Sequence, residues 1–285
     1  MSSNEPADLV IQAPDIGTPE LKRLARLTGA TAIEALPGGE TQAFRLVRPS
    51  SSNGVAEFCN DAGYDFGLVP RNQRLSRVRL VAMDMDSTLI TIECVDEIAD
   101  LLGVKAEVSA ITARAMRGEI DFAESLRRRV ALLRGADTAA LQRVYDERLA
   151  LTRGAERMLD GFAQAGAKAL LVSGGFTFFT DRLKARLGLD YAVASLLEVV
   201  DGRLSGRISG AVVDGVAKAD AFERLARELG GEDGLTVAIG DGANDVPMLT
   251  RAHVSIAYRG KPIVRAKTTY AIDHCGLDAA LNFFA

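Results

Sequence analysis

Short apolar runs alternate with amphipathic stretches over most of the chain, and their two periods separate its elements. Val78–Met83, Lys168–Val172, Leu235–Ile239 and Val254–Ala257 are apolar runs that each end in small or polar residues. Runs of this length predict strands buried on both faces, as in a parallel sheet. Glu156–Ala165, Phe178–Leu187 and Ala219–Leu229 lie between them and repeat at helical spacing. This alternation predicts an α/β fold with a doubly wound parallel sheet, in which ligands bind beyond the carboxyl ends of the strands.

Two segments depart from the alternation. From about residue 94 to 150 the apolar positions keep only a helical period, as in Val95, Ile98, Leu101 and Leu102, then Phe122, Leu126, Val130 and Leu133. A helical insertion after the first strand predicts a cap that excludes water and selects the substrate. Residues 1–75 read instead as short elements in βαββαβ order: strand Asp8–Ala13, helix Pro19–Thr28 with Thr18 as N-cap, and a hairpin of Thr31–Ala35 and Thr41–Val47 across the Leu36–Gly39 turn. Helix Val55–Ala62 and strand Tyr64–Val69 complete the set. This unit resembles ACT-type domains, which implies an amino-acid effector or a dimerising role. A purely structural role fits its pattern equally. Arg71–Arg77, polar and basic, reads as the linker to a second unit at 76–285.

Composition narrows the function. A formal charge of -4 over 285 residues gives no basic surface for nucleic acid. There is no apolar run of about 18 residues, so no membrane-spanning helix is expected. The N-terminus lacks a basic head followed by an apolar segment, so no secretory leader is expected. Cys59, Cys94 and Cys275 are odd in number and widely spaced, which predicts free thiols, no zinc cluster and a cytoplasmic setting.

Chemistry-bearing residues collect where the apolar runs end. The first run is followed by Asp84-Met85-Asp86-Ser87-Thr88, the second by Ser173-Gly174-Gly175 and the third by Gly240-Asp241-Gly242-Ala243-Asn244-Asp245, with an isolated Lys218 between the last two. Converging carboxylates call for a compensating cation, and an all-oxygen set near phosphate favours Mg²⁺ over zinc. Alternate side chains of an extended strand end point the same way, so Asp84 and Asp86 can address one ligand. Asp84 suits a carboxylate nucleophile that forms an aspartyl-phosphate, and Asp86 a general acid and base. Lys218 and the metal would neutralise phosphoryl charge, with Ser173 and the amides around Gly174 cradling its oxygens.

The motifs DMDST, SGG, the isolated lysine and GDGANDVPML, in this order, resemble those of the haloacid dehalogenase-like phosphatases. The resemblance runs from Val78 to the C-terminus and is strongest to the branch acting on phosphoserine, in the version with an ACT-like extension. It implies Mg²⁺-dependent hydrolysis of O-phospho-L-serine, a small-molecule substrate, in the last step of serine biosynthesis. Residue by residue it implies Asp84 as nucleophile and Asp86 as acid/base. The metal ligands would be the Asp84 carboxylate, the Asp86 backbone carbonyl and Asp241, supported by Asp245. Substrate contacts would come from Ser173, Gly174, Lys218 and Asn244, with Glu93 and Arg129 on the amino and carboxylate groups.

Helical phase supports the last of these. At about 100° per residue, Arg129 lies about 60° from Leu126 and about 20° from Phe122, whereas Arg127 and Arg128 point away. Arg129 therefore flanks the inward stripe and suits a bidentate carboxylate, with Phe122 and Met116 as apolar walls. Each assignment has a plainer reading. Glu93 could charge the first turn of a helix, Arg129 could pair with Glu124 or Glu93, Lys218 could lie at the surface, and Phe122 and Met116 could be core. Competing functions are a related phosphomonoesterase or phosphotransferase, or a serine-binding regulator; a homodimer through the first unit is a further expectation.

Overall fold

The computed structural model describes residues 6–37, 39, 41–230 and 234–285. The first unit comprises β1 (Ala7–Ala13), α1 (Thr18–Thr28), β2 (Ala32–Ala35), β3 (Gln42–Val47), α2 (Val55–Ala62) and β4 (Asp65–Pro70), in the βαββαβ order expected. Its strands pair antiparallel in the order β2-β3-β1-β4. Thr18 does not cap α1; Gly17 takes that position without a side-chain bond, the helix starts one residue earlier than expected, and Pro19 in its first turn brings a helical φ. The β2–β3 turn lies partly outside the described residues, at 38 and 40, and residues 1–5, on which the expectation of no secretory leader falls, lie outside them as well.

The second unit opens with β5 (Val78–Met83). A cap of α3 (Cys94–Leu101), α4 (Lys105–Met116), α5 (Phe122–Leu132) and α6 (Ala139–Arg143) follows. The chain then runs through α7 (Ala155–Gln164), β6 (Lys168–Phe176), α8 (Thr177–Leu187), β7 (Tyr191–Val200), β8 (Arg203–Ser209) and α9 (Gly215–Leu229). It ends with β9 (Leu235–Gly240), α10 (Val246–Leu249), β10 (Val254–Tyr258), α11 (Pro262–Arg265) and β11 (Tyr270–Ile272). The sheet order is β11-β10-β9-β5-β6-β7-β8. All its pairings are parallel except β7 with β8.

Two-sided burial explains the unbroken apolar runs. Val81 and Met83 of β5 enter the core shared with the cap and α7, while Leu80 and Ala82 enter the core under α9 with Phe222 and Leu225. The β7–β8 hairpin was not expected. Its signal is Asp201-Gly202, with φ of 49° and 75°, the positive pair that a tight hairpin turn requires. The strand order reverses around β5, with β6 on one side and β9 on the other, which opens a crevice at their carboxyl ends.

The linker is not a solvated tether. Gln73 is buried, and its side-chain amide donates to the Phe283 carbonyl (2.6 Å) and the Tyr270 hydroxyl (3.1 Å). Asp65, at the start of β4, accepts from the amides of Asp273 (2.7 Å), His274 (3.2 Å) and Cys275 (2.9 Å). The first sheet is thus covered by its own helices on one face and by the C-terminal segment on the other. Asp65→Ala would orphan three amide donors, that of Cys275 buried and those of Asp273 and His274 partly buried, and is expected to destabilise the chain by about 2–4 kcal/mol in chemical denaturation. A loss below about 0.5 kcal/mol would contradict this clamp.

Candidate active site

The site lies where β5, β6 and β9 end beneath the cap. β5 stops at Met83, and the chain turns sharply through Met85–Leu89, with Ser87 at φ 57°, in the left-handed region. Asp84 and Asp86 therefore face one cavity through a turn, not through strand alternation. Such a backbone costs a residue with a Cβ about 1–2 kcal/mol. The turn brings the Ser87 hydroxyl to Glu93, to which it donates at 2.7 Å. Asp86 accepts from the amide of Cys94 at 3.0 Å, so its carboxylate sits on the N-terminus of α3.

Lys218 anchors the floor. It lies in the first turns of α9, which begins four residues earlier than expected because Asp214 caps it, accepting from the Ala217 amide at 2.9 Å. Its ammonium is 0% exposed and donates to Asp84 at 2.6 Å and to Asp245 at 2.7 Å. Burial alone would lower the ammonium, but Asp245 and Asp84 more than offset it and hold Lys218 charged. Asp245 takes a second bond from the Gly242 amide at 2.9 Å. A Cβ at Gly240 would meet the Asp245 carboxylate at 2.6 Å, so only glycine admits this packing. Lys218 and Asp245 thus lie below the cavity wall, not on it.

Asp84, Asp241 and Asp245 each offer a carboxylate oxygen within 4.8 Å of the others. Both oxygens of Asp245 already have donors, which leaves Asp84 and Asp241 better placed to ligate. This oxygen-only set fits a hard divalent cation. Burial and Asp245 push Asp241 up to about 6, and push Asp84 well above the usual carboxylate range against the pull of Lys218. Two excess negative charges in so enclosed a place are what a bound cation would relieve.

The cavity, about 580 Å³, is walled by Asp84, Asp86, Ser173, Gly174, Asp241 and Asn244 below and by Glu93, Phe122 and Arg129 above. Ser173 was expected in a loop; β6 instead continues to Phe176, with its register against β7 broken after Val172. The Ser173 hydroxyl accepts from the Gly175 amide at 2.9 Å, leaving its proton free to point at a ligand. A Cβ on Gly174 would collide with the ring of Phe122, so this glycine lets the cap close on β6. Met116 lines only the mouth and is 69% exposed, a rim residue more than a wall.

Arg129 is buried on the inward face of α5 with Leu126 and Val130, as its helical phase required. It does not pair with Glu124, whose carboxylate takes Arg128 at 2.6 Å. Glu93 keeps an exposed side towards the cavity, and local desolvation of its carboxyl with the neighbouring Asp86 pushes it up to about 7. Burial likewise raises Asp86, opposed by the Cys94 amide. Thr88, which donates to Asp241 at 3.3 Å, and Asp96, on the cavity wall, were not anticipated. Asp96 lies in the first turn of α3, three residues after Glu93 at its N-cap, a closeness in sequence that could have flagged it.

Comparisons with known proteins bear on this geometry. A model described as haloacid dehalogenase-like hydrolase matches residues 81–250, and a domain of unknown function (DUF4072) matches 9–49. A phosphoserine phosphatase from Polaromonas sp. is 52% identical over 214 residues, covering 73% of this chain and 91% of its own. The unliganded structure of a probable phosphoserine phosphatase from Vibrio cholerae is 34% identical with a TM-score of 0.84, covering 97% of this chain and 86% of its own. A substrate-bound phosphoserine phosphatase complex is 38% identical with a TM-score of 0.68, covering 73% of this chain and 99% of its own.

Proposed function

Because the chain belongs to the phosphoserine phosphatases of the haloacid dehalogenase-like hydrolase family, we propose that it hydrolyses O-phospho-L-serine to serine and phosphate through a phosphorylated Asp84. The observation that carries this reading is the polarity of one cavity, with Asp84 over buried Lys218 at its floor and Glu93 and Arg129 under its cap. Phosphate at the floor and amino-acid groups at the cap match the two ends of phosphoserine.

In the first half-reaction an Asp84 oxygen bonds to phosphorus and the ester P–O bond breaks. Asp86 gives its proton to the departing serine oxygen; burial, which raises this carboxyl, favours the protonated form that this step needs. In the second half-reaction Asp86 takes a proton from water, the water oxygen bonds to phosphorus, and Asp84 is freed with release of phosphate. Ser173 and the amide of Gly174 orient the phosphoryl oxygens, and Asn244 adds a donor at the cavity wall. Asp84, Asp241 and the Asp86 carbonyl would hold magnesium, which would supply positive charge beside the phosphoryl group. Arg129 meets the substrate carboxylate in a bidentate pair, and Glu93 its ammonium, which favours the charged form of this raised carboxyl.

The βαββαβ order supports an ACT-like effector or pairing role for the first unit; serine titration of the full chain, read by calorimetry, tests it and no heat would refute effector binding. Among the described residues no helix is long and apolar enough to cross a membrane. Three buried free thiols support a cytoplasmic setting, which fractionation of the expressing cells tests; recovery outside the cytoplasm would reject it.

The direct test is phosphate release from a phosphomonoester panel with magnesium or with chelator. O-phosphoserine is expected to lead the panel, and chelation to remove at least about 10²-fold of the rate. A preference for a phosphomonoester lacking the amino-acid groups, or a rate indifferent to chelation, would reject the reading.

A further inference from the structure

The cap carries two opposite charges that face the same cavity, each with a buried polar atom that has no hydrogen-bond partner. On α3, Glu97 and Asp100 both pair with Arg148 at 2.6 Å, but Asp96 keeps a buried carboxylate oxygen with no hydrogen-bond partner. On α5, Arg128 pairs with Glu124, while the buried Nε of Arg129 has no partner. Both Asp96 and Arg129 line the cavity, and among the described residues no ion pair within 4.0 Å joins them. Asp96 is the leading anionic influence on Arg129, ahead of Glu93 and Asp86, though burial is the larger effect on each.

We propose that Asp96 is the positioning residue of Arg129, drawing its guanidinium into the cavity from beyond pairing distance and leaving its N–H donors for the substrate carboxylate. The physical reason lies in the choice between two costs. A buried guanidinium with no anion nearby is strongly disfavoured and would turn towards solvent. A direct bidentate salt bridge would satisfy it but occupy the fork that must grip the ligand. A carboxylate held on a neighbouring helix, close enough to attract and too far to bond, avoids both. Glu93, three residues nearer the turn at the N-cap of α3 and bonded to Ser87, is left for the ammonium.

The inference rests on the phosphoserine reading of the site, and its test separates the two. Steady-state hydrolysis by the full chain in saturating magnesium is compared for O-phosphoserine and O-phosphoethanolamine, which lacks the carboxylate. Where turnover of the second is too slow, its inhibition constant is read. Asp96→Asn is expected to raise KM for O-phosphoserine about 10-fold, with kcat and the phosphoethanolamine constant changed less than about 2-fold. In an Arg129→Ala background it should add nothing, because the group it positions is gone. Asp96→Glu keeps the charge and should stay near the wild-type KM; it decides the matter should Asp96→Asn fail to fold.

Equal losses on both substrates, additivity with Arg129→Ala, or a tenfold rise in KM for Asp96→Glu would each overturn the role of Asp96. Wild-type chain inactive on O-phosphoserine would instead remove the functional reading beneath it. An active wild type with an unaltered Asp96→Asn variant overturns the positioning role alone.

Discussion

Asp84→Asn is expected to lower phosphate release from O-phosphoserine by at least about 10⁴-fold while leaving the fold in place. The substitution is isosteric, and the backbone amide of residue 84 still donates to the Ile239 carbonyl at 3.0 Å. What disappears is the oxygen that bonds to phosphorus, for which an amide is no replacement. Stability should move the other way from activity. Burial and Asp245 both disfavour a charge at Asp84, so a neutral amide relieves that pressure, and Lys218 keeps Asp245 as its partner. The melting temperature in chelator is therefore expected to hold or rise. Beryllium fluoride should modify Asp84 in the wild type and nothing in the variant. Residual turnover within about 10-fold of wild type, or fluoride adducts on another side chain, would end the covalent reading.

Lys218→Met carries the second large effect, this time on both stability and rate. Methionine fills the channel of a lysine stem without its charge. Two buried carboxylates, Asp84 and Asp245, are then left facing each other with no ammonium between them. Removing one partner from a buried ionic cluster costs about 3–5 kcal/mol, and losing a preorganised charge at a transferring phosphoryl group about 10²–10³-fold in kcat. Excess magnesium should recover part of the lost stability, since a cation on Asp84 and Asp241 lowers the same repulsion. Equilibrium unfolding with magnesium and with chelator measures both quantities. A variant as stable as wild type in chelator would show that Lys218 does not neutralise this cluster.

Much of this arrangement was readable before any contact was known. The runs at β5, β6, β9 and β10 declared themselves because strands covered on both faces need no polar alternation. Asp84, Asp86, Asp241 and Asp245 stood out because charges at the ends of such runs are unusual. Arg129 was placed inward by helical phase alone, while Arg128 was correctly sent outward. The short β11 and the β7–β8 hairpin escaped because three residues, or an edge ribbon, carry too little period to register. Thr18 was misread as a cap because nothing local says which of two neighbours will take that position.

By itself, then, the order of residues determined burial, period and the local crowding of charge, because each depends on neighbours a few positions apart. Only the tertiary structure decided which charges meet. Lys218 bonds to Asp84 from 134 residues away and to Asp245 from 27, and Asp65 clamps amides more than two hundred residues on. Such pairings follow from how whole elements pack, and their strength from the water excluded around them. No stretch of chain records either quantity, which is why Lys218 could equally have been a surface lysine and Asp96 passed unnoticed.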